Sequence, residues 1–463
     1  MKVVLVSPPT TVQERYPKGH PLRKTMQVTE PLGLAYIAAM LEPNHEVEII
    51  DCIAEDLPIL HTLARIEKRS PEILGISAFT PTVHQAVKLA KLVKQLMPST
   101  TVVLGGIHPT IFPEQVMQNE AVDFVVIGEG EYAMHNLVQA IENQEELSNV
   151  HGIVCRRNRE IVFNPPHPLE KNLDSLPLPA RHLLPMDRYK PFIAKRRPAR
   201  SMISSRGCPY ECVFCSRDIS GSRYRLRSVA SVIEEIKILV DEYVAKEIDF
   251  QDPVFGLNQT WTKEFCQRLT EEKLDVVWSA LTRVDLIDEN LLRSMRKSGC
   301  WMLYYGIEAG DQELLNNIKK NIKLEDIRKS VELTRKLGIG VWGSFMFGLP
   351  SETPELAEKT LEFAKNLPLD FASFHFTTPF PSTELWRDFA KWGELRTDFS
   401  DFTQLNPVFV PHGWKNREDE LQEMLQRGFK EFYFRPKYIF GQLLKIRSFA
   451  DLKLYYHGLR SLL

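Results

Sequence analysis

The sequence predicts an α/β protein built from two parallel-sheet domains: a doubly wound Rossmann-like sheet first, then a partial (β/α)6 barrel, with a small helical region at the C-terminal end. Three observations carry this reading. Short β-rich runs alternate with longer amphipathic patterns over residues 1–145. The same alternation resumes near residue 200 and continues to about residue 395. Between the two, residues 146–195 hold a hairpin pattern, VHGIVCRRNREIVF, and the proline-rich connector LPLPARHLLP, which together read as a linker. A chain of 463 residues also exceeds what a single core organises.

In the first domain the strands are KVVLVS (2–7), VEIID (47–51), ILGISA (73–78), TVVLGG (101–106) and DFVVIGE (123–129). PLGLAYIAAMLE, PILHTLARIEK and VHQAVKLAKLVKQLM separate them, each with apolar residues recurring at three and four. Open sheets of this kind bind ligands beyond the carboxyl ends of their strands. Those ends carry Pro8, Asp51, Ser77, Thr80, Gly105, Gly106, His108, Gly128, Glu129 and Gly130, the candidate ligand contacts of this domain. No Gly-x-Gly-x-x-Gly follows the first strand, so a dinucleotide is not the favoured ligand. The glycines after the fourth and fifth strands would let something large and flat approach the backbone, and they read equally well as ordinary turns.

The barrel strands are RSMISSRG, EIDFQD, VVWSALTR, WMLYYGIEAG, GVWGSFMFGLP and FASFHFTTPFP, separated by helices such as SVIEEIKILVDEY and TPELAEKTLEFAKNL. Six units fall short of a complete eight-fold barrel. Barrel chemistry sits at the C-terminal ends of strands, and a run of cysteines follows the first one directly.

Composition sets the frame. At 43% hydrophobic and 25% charged residues the chain reads as a soluble globular protein. The apolar run in MKVVLVSPPT is too short for a signal peptide, and no stretch approaches the roughly 18 apolar residues of a spanning helix, so a cytoplasmic location is expected. Seven cysteines, with Cys52, Cys155, Cys266 and Cys300 dispersed, do not form a disulfide framework. Residues 427–463 carry eight Lys or Arg against Glu431 and Asp451 and are rich in aromatics. That stretch reads either as a helix packed on the body with a solvated basic face or as a surface for peripheral membrane contact. No nucleic-acid-binding module is visible.

The stretch SSRGCPYECVFCSRD (204–218) places Cys208, Cys212 and Cys215 within eight residues. Zinc sites favour two Cys-x2-Cys pairs, and neither a second pair nor an adjacent histidine is present. A cubane iron-sulfur cluster takes four thiolates, so three leave one iron open to another ligand. Arg206, Gly207, Pro209 and Glu211 mark a loop, where three inert buried thiols are not expected.

This run, with Phe214 just before the last cysteine, resembles the Cys-x3-Cys-x-aromatic-Cys motif of the radical S-adenosylmethionine (SAM) superfamily. DFQDPVFGLN with Asp252, ALTRVDLID with Arg283 and Asp285, YYGIEAGDQELL with Glu308, and MFGLPSETPE with Gly348 resemble successive strand ends of its barrel. TTPFPSTELW resembles a Pro-x-Pro-Gly-Thr turn, with Ser382 in the glycine's place. The first domain, through PPT, GGIHPTIFPEQV and DFVVIGEGEYA, is similar to the cobalamin-binding domain of one large radical SAM class. The resemblance implies a [4Fe-4S] cluster on the three cysteines, SAM on its open iron, Phe214 near the adenine and Glu308 near the ribose or methionine portion. Asp252, Arg283 and Gly348 are carried over as further contacts. It implies cobalamin as well, bound base-off without a histidine ligand, because no Asp-x-His-x-x-Gly occurs and His84 and His108 have other neighbours. The implied reaction is methylation of an unactivated carbon by way of methylcobalamin and a 5′-deoxyadenosyl radical. An oxidative cyclisation or ring rearrangement, as in porphyrin-ester cyclases, stays open, and a cobalamin-binding sensor is the remote alternative. A flavodoxin or ferredoxin would supply electrons, and a lipid or tetrapyrrole would suit the basic aromatic tail.

Overall fold

In the computed structural model, residues 1–9, 29–191, 193–396 and 398–443 are described. The basic aromatic run beyond residue 443 lies outside the described residues, as do residues 10–28. Contacts divide the chain into two units, one of Met1–Pro209 with Arg217–Ile248 and one of Tyr210–Ser216 with the chain from Asp249 onward.

The first unit opens with β1 (Lys2–Ser7), α1 (Leu32–Leu41), β2 (Glu46–Asp51), α2 (Ile59–Arg69), β3 (Ile73–Ser77) and α3 (Val83–Leu96). There follow β4 (Thr101–Gly105), the short α4 (Ile107–Ile111) and α5 (Pro113–Met117), β5 (Phe124–Val126) and α6 (Gly130–Glu142). The five strands pair in parallel in the order β2-β1-β3-β4-β5. Both faces of such a sheet are covered, which is why KVVLVS is a continuous apolar run rather than an alternating one. Val4 and Val6 enter the core beneath α2 and α3, whereas Val3 and Leu5 enter the one beneath α1 and α6. The winding reverses between β1 and β3, and open sheets of this order take ligands beyond the strand ends at that point. Pro8 and Ser77 flank it.

The predicted hairpin, β6 (Ile153–Arg157) and β7 (Glu160–Phe163), continues this sheet antiparallel to β5 and brings it to seven strands. The fifth strand is shorter than its apolar run: the Ile127 N–H donates to Gly152 at 2.9 Å, and the chain turns at Gly128, where φ is +75. The unit also holds β8 (Ala199–Met202), β9 (Ser205–Arg206), β10 (Arg225–Leu226) and α7 (Val229–Asp241), whose N-cap Ser228 accepts from the Ser231 N–H at 3.1 Å.

The division between units falls inside β11 (Glu247–Phe250). Beyond it come α8 (Gln259–Glu272), β12 (Val277–Thr282), α9 (Glu289–Lys297), β13 (Cys300–Glu308), α10 (Gln312–Asn317), α11 (Leu324–Lys336), β14 (Gly340–Phe347), α12 (Pro354–Asn366), β15 (Phe371–Phe376) and α13 (Glu384–Trp392). The second sheet takes the order β15-β14-β13-β12-β11-β8, the six-stranded open barrel expected from the sequence. Its period-two pattern separates two faces. Tyr305, Ile307, Val341, Phe345 and Phe374 are fully buried, each worth roughly 1.5–3 kcal/mol of apolar burial. Tyr304, Trp342, Ser344, Ser373 and His375 alternate with them on the half-buried face.

The C-terminal region contains the antiparallel pair β16 (Gly393–Leu395) and β17 (Phe409–Pro411), then α14 (Glu418–Tyr433) and α15 (Pro436–Leu443). α14 covers the edge strand β15. The Tyr433 hydroxyl accepts from the Ala372 N–H at 3.0 Å and donates to its carbonyl at 2.7 Å, satisfying both edge groups of that residue. The described part of the basic run therefore packs on the body. Among the described residues, no helix is long and apolar enough to cross a membrane.

Candidate functional site

The cysteine loop begins at Gly207, whose φ of +80 favours glycine. A Cβ there would overlap the Arg223 carbonyl across the loop. With no Cβ, the chain closes, and the Cys208 N–H donates to the Gly221 carbonyl at 3.3 Å. Just outside this closure β9 and β10 pair, Arg206 opposite Arg225. Both arginines are charge-paired within the first unit. Arg225 donates to the two Glu129 carboxylate oxygens at 2.7 and 2.9 Å, and Arg206 to Glu131 at 2.6 Å. Burial favours the neutral acid at Glu129, but Arg225 and Arg206 outweigh it and hold its carboxyl below the usual range. The Glu129 side chain thus anchors the flanks of the cysteine loop.

The three thiols differ from the other four. Cys208 and Cys212 are partly exposed and Cys215 is exposed, while Cys52, Cys155, Cys266 and Cys300 are buried. Burial pushes the Cys52 and Cys266 thiols up to about 12 and raises Cys300 too, so those remain protonated and unsuited to metal. Three solvent-reachable thiols on one loop fit a cluster that takes three thiolates from the protein. Phe214 among them is half-buried.

In the second unit, the C-terminal strand ends gather the remaining expected residues. Glu308 closes β13 at a register shift against β14, with φ +70, a strained setting for a non-glycine residue. Its Oε1 accepts from Lys320 Nζ at 2.7 Å, and both residues are buried. Gly306 makes room for this pair, because a Cβ there would lie 2.5 Å from Glu308 Oε1 and 2.8 Å from Lys320 Nζ. Arg283 is 5% exposed and donates to both Asp285 oxygens at 2.9 and 3.0 Å and to the Lys320 carbonyl at 2.7 Å. Burial works against its charge, and Asp285 more than restores it. Asp252 is buried at the end of β11. Gly348, at φ +75, donates its N–H to Glu352 Oε2 at 2.5 Å. Ser382 holds φ +69, which is why the related turn has glycine there.

The first unit's crevice is more tightly knit than its sequence indicates. Gly106 has φ +97, and a Cβ on it would sit 2.8 Å from the Ala78 carbonyl, so only glycine lets the ends of β3 and β4 meet. Gly105 accepts from the Ala78 N–H at 2.8 Å, the Gly128 N–H donates to Thr110 at 3.1 Å, and Gly130 packs on Ile37 of α1. His108 is buried, with Nδ1 3.4 Å from Thr80 Oγ1, and burial lowers its pKa to about 4, so it is neutral. Asp51 accepts from the Ile53 and Ala54 N–H groups and, at 2.9 Å, from the Tyr189 hydroxyl. Its carboxylate secures the linker, and Pro8 is buried beside β1. Tyr189, Arg225, Lys320, Tyr210 and Glu352 were not legible as site residues, since each acquires its meaning from a partner 4 to 138 positions away. Gly106 and Gly130 thus serve close packing within the unit, against Ala78 and Ile37, which is the ordinary-turn side of the sequence expectation.

Comparison with known proteins agrees with this assembly. The B12 binding domain family matches residues 22–138, and the Radical SAM superfamily matches residues 202–364. An uncharacterised methyltransferase of Pyrococcus horikoshii is 37% identical over 453 residues, covering 97% of this chain and 96% of that protein. The anaerobic magnesium-protoporphyrin IX monomethyl ester cyclase of Rubrivivax gelatinosus is 28% identical, covering 88% of this chain and 74% of that one. The fold matches the radical SAM methyltransferase TsrM of Kitasatospora setae, solved with cobalamin and a [4Fe-4S] cluster, with a TM-score of 0.71 at 19% identity over 94% of this chain and 89% of that one. With a B12-binding domain placed ahead of a radical SAM core, the chain belongs to the cobalamin-dependent radical SAM enzymes.

Proposed function

We propose that this protein is a methyltransferase acting on an unactivated carbon of a small molecule. The observation that carries the reading is the solvent-reachable three-thiol loop, shaped by Gly207 and present in the same chain as a parallel sheet whose order reverses at β1/β3. When bound, the cluster with SAM supplies hydrogen-atom abstraction and cobalamin supplies the methyl group. Cys208, Cys212 and Cys215 would hold the cluster, and three thiolates would leave it able to take SAM as a further ligand. Phe214 would flank the adenine, while Glu308, Asp252 and the Gly348 backbone would border the remainder of SAM. In the first domain Pro8, Ser77, Thr80, Gly105, Gly106, Gly128 and Gly130 would border the corrin and its tail. The burial of His108 against Thr80 supports cobalamin held without a protein histidine beneath it. End-to-end similarity to a protein named as a methyltransferase favours methyl transfer.

A second reading, cyclisation, is favoured by the similarity to the cyclase. Product counting decides between them. After anaerobic reconstitution with a reductant such as flavodoxin or ferredoxin, methylation yields S-adenosylhomocysteine and 5′-deoxyadenosine in equal amounts, and 5′-deoxyadenosine alone refutes it. A lipid or tetrapyrrole substrate is proposed on the composition of the tail. Truncation after Leu443 should abolish binding to anionic liposomes, and equal binding removes that proposal.

A further inference from the structure

We propose that Arg283 is a positioning residue, clamping the cysteine loop through the ring of Tyr210, and that this clamp governs cluster retention and reduction potential rather than SAM binding. The inference rests on the reading that the loop holds an iron-sulfur cluster.

Tyr210 lies between Cys208 and Cys212 in the chain. The Arg283 guanidinium carbon sits 3.7 Å from the centre of its ring, a stacking distance. The guanidinium is itself immobilised on other sides. Nε and Nη2 grip Asp285, and Nη2 also donates to the Lys320 carbonyl. A planar fork that is bidentate to a carboxylate and stacked on a ring is a geometry that lysine cannot reproduce. Three residues further on, Val213 fixes the same loop a second time. Its N–H donates to the Ile318 carbonyl at 3.1 Å, its carbonyl accepts from the Leu385 N–H at 2.8 Å, and it is 5% exposed. Cys212 is thereby held between two anchored residues, one pinned by its ring and the other by its backbone.

The clamp is also electrostatic. Cys212 lies within charge range of Arg283. A permanent cation beside a thiolate ligand offsets the negative charge that a cluster gains on reduction, so losing it should make reduction harder. Asp285 tempers this effect and keeps the guanidinium in place. The Glu308 side chain pairs with Lys320 Nζ instead, so the clamp and the expected SAM contact are separate side-chain systems joined only through the backbone of Lys320.

The test uses the full chain, reconstituted anaerobically, with Arg283→Gln, Arg283→Lys, Tyr210→Leu and Tyr210→Phe. Iron and sulfide per chain, the midpoint of an EPR-monitored redox titration, and SAM affinity per intact cluster are measured. Arg283→Gln and Tyr210→Leu should weaken cluster retention by about tenfold or more, the usual cost of losing a group that orients metal ligands. Arg283→Gln should also shift the midpoint to more negative potential. Tyr210→Phe should behave as wild type, Arg283→Lys should fall between, and SAM affinity per cluster should stay within about twofold in all four, since the proposal gives Arg283, carried over by the resemblance as a SAM contact, to the cysteine loop instead. If Arg283→Gln keeps its iron and midpoint but loses SAM binding, Arg283 is a cofactor ligand and the clamp is overturned. If Arg283→Gln does not fold, the contrast between Tyr210→Leu and Tyr210→Phe decides. A wild-type protein that takes up no cluster brings down the family reading itself, whereas a normal wild type with unaltered Arg283→Gln and Tyr210→Leu removes only the clamp.

Discussion

Replacing Glu352 by Gln isolates the cost of one buried carboxyl at the barrel mouth. Glu352 is fully buried; its Oε2 accepts from the Gly348 N–H at 2.5 Å and from Trp414 Nε1 at 3.2 Å, and its Oε1 has no hydrogen-bond partner among the described residues. Burial raises its pKa from 4.5 to about 8 against the donors that favour ionisation, so the folded protein holds a neutral acid at pH 7. The unfolded chain ionises near 4.5, and the folded state therefore loses stability progressively as the pH climbs from 4.5 to about 8. The full loss is about 5 kcal/mol, at about 1.4 kcal/mol per pKa step. Glutamine is neutral throughout, and its carbonyl can accept from both Gly348 and Trp414. Its amide adds a constant cost, which makes the pH dependence the diagnostic quantity. Between pH 5 and pH 9 the variant should gain about 4 kcal/mol on the wild type, which is about 10 °C or more in melting temperature for a unit of this size. Thermal unfolding across that range, followed by circular dichroism, measures it. Parallel curves for the two proteins would show that the carboxyl is ionised in the fold and refute the reasoning.

Other perturbations probe the remaining supports. Gly207→Ala should cost about 1–2 kcal/mol for its left-handed backbone alone. The added overlap with the Arg223 carbonyl should displace Cys208, so iron uptake after reconstitution should fall sharply while Gly207→Ala retains native far-ultraviolet circular dichroism. Lys320→Met strands the buried Glu308 carboxylate and should destabilise by about 3–5 kcal/mol in urea titrations, with Lys320→Arg close to wild type. Tyr189→Phe removes the hydroxyl that donates to Asp51 and should cost about 1–3 kcal/mol, with proteolysis within the 146–195 linker rising in step.

The order of strands and helices was legible because each element repeats a local period. The runs KVVLVS and VHQAVKLAKLVKQLM state their structure without reference to anything distant. Boundaries shifted where a turn intervened, as at Gly128, or where β8 and β9 divide the expected strand RSMISSRG. The cysteines were legible for a different reason: three ligands within eight residues form a local motif, and no fold is needed to bring them together.

Partnerships were not legible. Asp51 and Glu129 stand at strand ends, where a sequence reading offers them to a ligand, yet Tyr189 and Arg225 engage their carboxylates. Arg283 reads as a mouth residue, and its place over Tyr210 follows only from how the cysteine loop meets the end of β12. The sequence by itself determined the α/β class, the two sheets, the three-thiol loop and the glycines that shape it, because hydrophobic period, ligand spacing and positive φ are properties of neighbouring residues. Only the tertiary structure decided which charges are neutralised, which acid stays protonated and which ring the guanidinium covers, because desolvation and ion pairing depend on groups that the chain brings together from far apart.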